Sequence, residues 1–175
     1  RSFLSFDGAK EVGVEFYSLS KSFNLTGARI SFVVGNKQII NKLKVFRSQI
    51  DYGVFLPVQY AAIAALTGPL DVVEEQRQEY EKRNKMLCGG LRSIGWDVPD
   101  SQGTMFVWAK IPGKYKSSVE FCLDLMEKTG VIVTPGNAFG SRGEGYVRMA
   151  LVVGEETISE LLSVLEESNI FSKQI

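Results

Sequence analysis

Histidine is absent from this 175-residue sequence. That absence removes a Ser-His-Asp triad, a histidine-ligated zinc and a histidine general base from the chemistries open to the chain. Cysteine is scarce: Cys88 and Cys122 are the two, and they form no C-x-x-C metal or redox motif. Two thiols in segments that read as helices fit a reducing compartment, where a buried thiol packs as a small apolar group. No run of about 18 apolar residues occurs, so no membrane-spanning helix is expected. No signal-peptide pattern opens the chain, and a cytoplasmic protein is the expectation. Charge of one sign is lacking too. The 20 lysines plus arginines balance 20 acidic residues, which gives no long-range attraction to nucleic acid or to an anionic membrane. A site for a small anion must therefore be built locally. The first residue is Arg1 rather than methionine, and a piece of a longer protein is expected.

What is present is ordinary for a globular chain, with 45% hydrophobic and 23% charged residues. The length allows well over half of the unfolded surface to be buried. Residues 14–20 alternate apolar with polar and read as a strand. It runs into the polar turn Lys21-Ser22-Phe23-Asn24, with Gly27 beyond. Residues 28–34 are rich in branched and aromatic side chains and read as a second strand. Asn36 suits a helix N-cap, with Ile39, Ile40, Leu43 and Phe46 at helical spacing behind it. Residues 58–66 form an alanine-rich helix that Gly68-Pro69 breaks. Asp71 can then cap a long charged helix over about 72–91. Its apolar stripe is sparse (Val73, Tyr80, Leu87, Leu91), as suits a half-exposed connecting helix with i, i+4 charge pairs on its solvated face.

From Trp96 onward strands and helices alternate. Strands are expected at 104–109, 131–133 and 146–151. A helix begins at Ser117, with Glu120 in the capping-box position and Val119, Cys122 and Met126 along one face. Of Phe106 and Trp108, one is expected in the core and the other on the outer face. A last helix starts near Glu155, with Ile158, Leu161, Leu162 and Leu165 at i, i+3, i+4 and i+7. The fold class is α/β.

Lys21 stands where the first strand ends, and ligands of open α/β sheets collect outside the carboxyl ends of strands. Ser18 precedes it by three residues and Arg29 follows by eight. Two such groups can hold a phosphate by charge-assisted hydrogen bonds. An amine that condenses with a carbonyl must give up its proton, which neighbouring cations favour. From spacing alone, a surface lysine at a strand end is the competing reading.

The segment Ser18-Leu19-Ser20-Lys21-Ser22-Phe23-Asn24-Leu25-Thr26-Gly27-Ala28-Arg29 resembles the active-site segment of fold type I, class I aminotransferases, Ser-x-Ser-Lys-x-(Phe or Tyr)-Asn-x-x-Gly-x-Arg. The resemblance continues through Gly68-Pro69 and the acidic helix, Leu91-x-x-Ile94-Gly95-Trp96, Gly103-Thr104-Met105-Phe106-Val107-Trp108, and Pro135-Gly136-Asn137-Ala138-Phe139-Gly140. It ends in Gly145-Tyr146-Val147-Arg148-Met149-Ala150. It implies that pyridoxal 5′-phosphate is the cofactor and that Lys21 forms the Schiff base with it. It further implies that Ser18, Ser20 and Arg29 hold the phosphate, and that Arg148 pairs with the substrate α-carboxylate. The implied architecture is the end of the large cofactor domain (1–57), connecting helices (58–95) and the small C-terminal α/β domain (96–175).

The implied activity is transfer of an amino group between an amino acid and a 2-oxo acid, in the branch that handles aspartate, diaminopimelate or similar amino acids. A homodimer is implied for the full-length protein. In this family an aspartate at the pyridinium nitrogen, a ring stacked on the cofactor and a glycine-rich phosphate turn all precede the lysine strand. None is matched here, since Asp7 does not sit in such a motif, and the chain alone is expected to be inactive. Tyr52 and Gly53 read as a plain loop. The alternatives are a C–S lyase on the same fold, a cofactor-sensing aminotransferase-like domain of a transcription regulator, or a purely structural domain.

Overall fold

Alternation in residues 14–18 and the branched run after Ile30 produce a hairpin. In the computed structural model, which describes residues 1–171, β1 (Val14–Ser18) pairs antiparallel with β2 (Ser31–Gly35). Val14 lies opposite Gly35 and Ser18 opposite Ser31. A short helix, α1 (Ala9–Val12), precedes β1, and a single helical turn, α2 (Leu19–Ser22), follows it directly. The strand therefore stops two residues short of the expected Ser20. The reason is a cap: the Ser18 hydroxyl accepts the N–H of Ser20 at 3.2 Å and turns the chain into α2. β2 starts three residues later than expected because residues 26–28 close a 3-10 turn first.

Beyond the hairpin come α3 (Lys37–Ser48) and α4 (Leu56–Thr67). Asn36 caps α3 as its sequence suggests, accepting the N–H groups of Gln38 (2.9 Å) and Ile39 (3.0 Å). The long α5 (Asp71–Ser93) follows. It carries i, i+4 ion pairs of the expected kind, Arg77 to Glu81, Arg83 to Glu79 and Lys85 to Glu81, which add little at so exposed a surface. No single helix among the described residues is long and apolar enough to cross a membrane.

The chain divides into two compact units, Arg1–Glu75 and the residues from Gln76 onward. The first buries few large apolar side chains and leaves Phe16, Phe46, Phe55 and Tyr60 more than 60% exposed. The second has a continuous core. Its sheet runs β3 (Phe106–Lys110), β5 (Tyr146–Ala150) and β4 (Thr134–Pro135), all neighbours antiparallel. Val107, Ala109, Val147 and Met149 point from it into a core shared with Leu87 and Leu91 of α5 and with α6 (Ser118–Thr129) and α7 (Glu155–Glu167). Trp96 joins the same core, donating from Nε1 to the Lys110 carbonyl at 2.8 Å and stacking on Phe171 at 4.7 Å. α7 buries Ile158 and Leu165 and half-buries Leu161 and Leu162, as its spacing requires.

Three expectations need correction. Phe106 and Trp108 share one face of β3, opposite buried Val107 and Ala109, because side chains two apart on a strand always point the same way. α6 buries Phe121 and Leu125, while Val119 and Met126 are 42% and 40% exposed. The period of 3.6 fits both stripes, and the apolar residues of α6 are too evenly spread for spacing to choose. Residues 131–133 form no strand; the pairing falls on Thr134–Pro135, where Thr134 lies opposite Arg148. Ser117 does cap α6, accepting the N–H of Glu120 at 3.1 Å, but the Glu120 carboxylate reaches the N–H of Lys116 rather than that of Ser117.

Candidate active site

The hairpin connection gathers the phosphate-type ligands and the lysine at one end of the first unit. Residues 19–30 join two antiparallel strands, so whatever they carry lies at that end. Leu19, 3% exposed, anchors the loop, and its N–H donates to the Ile30 carbonyl at 3.4 Å. The Thr26 hydroxyl donates to the Ser20 carbonyl at 2.9 Å, and Arg29 Nη1 donates to the Thr26 carbonyl at 3.2 Å. These bonds fold residues 26–29 back onto the turn that holds Lys21. Ser18, Lys21 and Arg29 are exposed and Ser20 is half-buried.

Two residues of this loop are in the left-handed region, Asn24 and Arg29, both at φ 51. Asparagine tolerates it, but for arginine the conformation costs about 1–2 kcal/mol. Strain of this kind concentrates at functional positions. Between Ser18 and Arg29 the sequence has no acidic residue.

Arg148 sits in the second unit, in the middle of β5, half-buried and directly across the ladder from Trp108. Its guanidinium carbon lies 4.2 Å from the ring centre of Phe106 and 4.5 Å from that of Phe139. Trp108 stacks with Tyr146 at 5.7 Å and meets Phe139 edge-on at 5.8 Å. Among the described residues the guanidinium has no hydrogen-bonding or ion-pair partner. A half-buried cation ringed by aromatic walls, its N–H edge unfilled, is a receptor for a planar carboxylate. The sequence singled out Arg148 but gave the rings no part beside it. For three of them the signal was present, since Phe106 and Trp108 on β3, and Tyr146 and Arg148 on β5, occupy alternate positions, but pairing β3 with β5 is what brings them together.

The loop between Pro135 and Gly145 carries Phe139 through two 3-10 turns. Its ends touch. A Cβ on Gly136 would lie 2.2 Å from the Gly143 carbonyl oxygen, so only glycine fits there. Buried Ser118, at the start of α6, fixes the exit of the loop: its hydroxyl accepts the N–H groups of Gly145 (2.9 Å) and Tyr146 (3.2 Å). Glu144 Oε1 in turn accepts from Ser118 N (2.6 Å) and Gly145 N (3.1 Å). Those donors hold the Glu144 carboxyl below the ordinary glutamate value.

A groove of about 770 Å³ in this unit is bounded by Trp96, Trp108, Lys110, Lys114, Tyr146 and Phe171. It is lined by neither Lys21 nor Arg148, and its two lysines are exposed at the rim. Volume without converging polar groups does not make it the reactive site. Residues 4–165 match the family model for aminotransferase class I and II. The chain belongs to that family.

Class I and II aminotransferases are transaminases that depend on pyridoxal phosphate. The relatives agree. An LL-diaminopimelate aminotransferase from Halothermothrix orenii is 50% identical over 97% of this chain, and one from Dehalococcoides mccartyi is 44% identical over 94%. Among solved structures, apo-BacF from Bacillus subtilis superposes with a TM-score of 0.92 at 37% identity over 98% of the chain. An aminotransferase from Staphylococcus aureus gives 0.90 at 32% identity, also over 98%. The α/β architecture expected from the sequence is thus that of known aminotransferases. The chain spans 43% of the length of the Halothermothrix relative and 44% of BacF.

Proposed function

We propose that the full-length protein transfers an amino group from an amino acid to a 2-oxo acid with pyridoxal phosphate, and that LL-diaminopimelate is the amino donor. One observation carries the site assignment: Ser18 at the end of β1 and Ser20, Lys21 and Arg29 on the connection that follows it lie at one end of the hairpin, in a stretch without an acid. Their chemistry fits the cofactor, an amine for its aldehyde and a guanidinium with hydroxyls for its phosphate dianion. The choice of donor is supported by the Halothermothrix and Dehalococcoides relatives, both of which are LL-diaminopimelate aminotransferases.

In this reading the bound cofactor supplies the electron sink that lets an α-proton leave. Arg29 and Ser18 grip the phosphate, with Ser20 as a further hydroxyl, and hold the cofactor in one orientation. Lys21 Nζ would be the base that accepts the proton from the substrate Cα and the acid that later donates it. Arg148 holds the α-carboxylate through its in-plane N–H groups, which fixes the Cα–H bond in direction. The enzyme acts as a cytoplasmic homodimer in this reading. The apolar side chains that the first unit exposes, Phe46, Phe55 and Tyr60 among them, support cover by further polypeptide.

The test is chemical labelling. Full-length protein is loaded with cofactor, reduced with borohydride and digested, and the mass-shifted peptide is identified. The expected peptide contains Lys21; a label on another lysine overturns the assignment. Assay of the same protein with LL-diaminopimelate and a panel of 2-oxo acids tests the donor, and absence of the matching amino acid products overturns it.

A further inference from the structure

We propose that Phe106 and Phe139 are positioning residues whose two rings hold the Arg148 guanidinium with its N–H edge turned toward a substrate carboxylate. The identity of that carboxylate rests on the aminotransferase reading above; the geometry rests on β3, β5 and the 136–143 loop. A guanidinium is planar, with all five donors in its edge and none on its faces. The guanidinium carbon lies 4.2 and 4.5 Å from the two ring centres, so the rings hold the group by cation–π attraction without supplying an acceptor that would occupy its donors. Four other arginines of the chain are held differently. Arg47, Arg77, Arg83 and Arg92 each pair with a carboxylate, Asp51, Glu81, Glu79 and Asp100 respectively. An acid at Arg148 would hold it equally well, but would occupy the donors a substrate needs. Rings restrain the group without competing for it.

The holding parts are themselves held. Phe106 is fixed on β3, two residues from Trp108, the cross-strand partner of Arg148. Phe139 is 50% exposed, so burial does not explain its place. Its ring rests edge-on against Trp108, which Tyr146 backs by stacking. The loop delivering Phe139 is closed by the Gly136–Gly143 approach and by the Gly140 and Gly143 N–H groups, which donate to the carbonyls of Asn137 (3.1 Å) and Gly140 (2.9 Å). A ring brought by a loop pinned at both ends acts as a stop, and the guanidinium rotates against it rather than into solvent.

Two readouts test this. In the full-length enzyme, Phe139→Leu raises KM for the amino acid about fivefold, equivalent to about 1 kcal/mol, while kcat stays within about twofold. Phe139→Tyr, which keeps the ring, stays within about twofold of wild type in both. Unchanged KM in the leucine variant, or a tyrosine variant no better than leucine, overturns the proposal. The second readout needs no turnover. In the full-length protein labelled with ¹⁵N-arginine, the Arg148 Nε–Hε resonance, assigned by its loss in Arg148→Lys, lies upfield of the other arginines through ring current. Phe139→Leu moves it toward them, and Phe139→Tyr does not. A resonance indifferent to Phe139→Leu overturns the proposal even where the wild-type enzyme proves to have no transaminase activity, a result that would by itself sink only the functional reading.

Discussion

The Ser118 hydroxyl, fully buried, accepts the backbone N–H of Tyr146 at 3.2 Å and so ties the first turn of α6 to the first residue of β5. Two residues further along the same strand is Arg148. Replacing Ser118 with alanine removes that acceptor inside the core and is expected to cost about 1–3 kcal/mol. Urea unfolding of Ser118→Ala against wild type measures it; a change under a few tenths of a kcal/mol would show that water or a shifted carbonyl replaces the hydroxyl.

Glu144 supplies an acid-sensitive part of the same knot. The Ser118 and Gly145 N–H groups lower its folded value beneath the ordinary 4.5. A carboxyl depressed in the folded state contributes stability that is complete above its unfolded value and is lost as pH falls through the folded one. The urea midpoint of wild type should therefore drop more steeply than that of Glu144→Gln as pH goes from about 6 to about 3. Parallel curves would mean the N–H groups bind neutral and ionised carboxyl alike.

Arg29 is held at φ 51, ψ 47, a conformation that glycine enters without penalty. Arg29→Gly is expected to leave stability unchanged or to raise it by up to about 1 kcal/mol. In the full-length protein the same change should weaken pyridoxal-phosphate binding at least about tenfold, because a charge-assisted phosphate contact is lost. Absorbance titration with cofactor and a thermal melt, run on one preparation, separate the two effects. Lower stability together with unchanged affinity would contradict both halves.

The face that α6 buries also has a direct check. Leu125→Ala should cost about 2–5 kcal/mol by opening a cavity beneath the sheet. Met126→Ala, on the exposed side, should change stability by no more than about 0.5 kcal/mol. Equal losses would restore the stripe that spacing alone suggested.

Local chemistry was readable from the sequence, because it acts over a few residues. The Asn36 and Ser117 caps, the break at Gly68-Pro69 and the amphipathic α7 all stand where their side chains require, and the run from Ser18 to Arg29 named its family without coordinates. Tertiary structure decided whatever depended on a partner distant in the chain. Which face of α6 is buried was set by the sheet it packs on. That Lys21 lies in a capped helical turn, with Thr26 tied to Ser20 and Arg29 tied to Thr26, was set by hydrogen bonds within the loop. The rings around Arg148 meet because β3 pairs with β5 in one register, Trp108 opposite Arg148. Side-chain periodicity fixes a direction within one strand, and only pairing fixes which neighbour that direction finds.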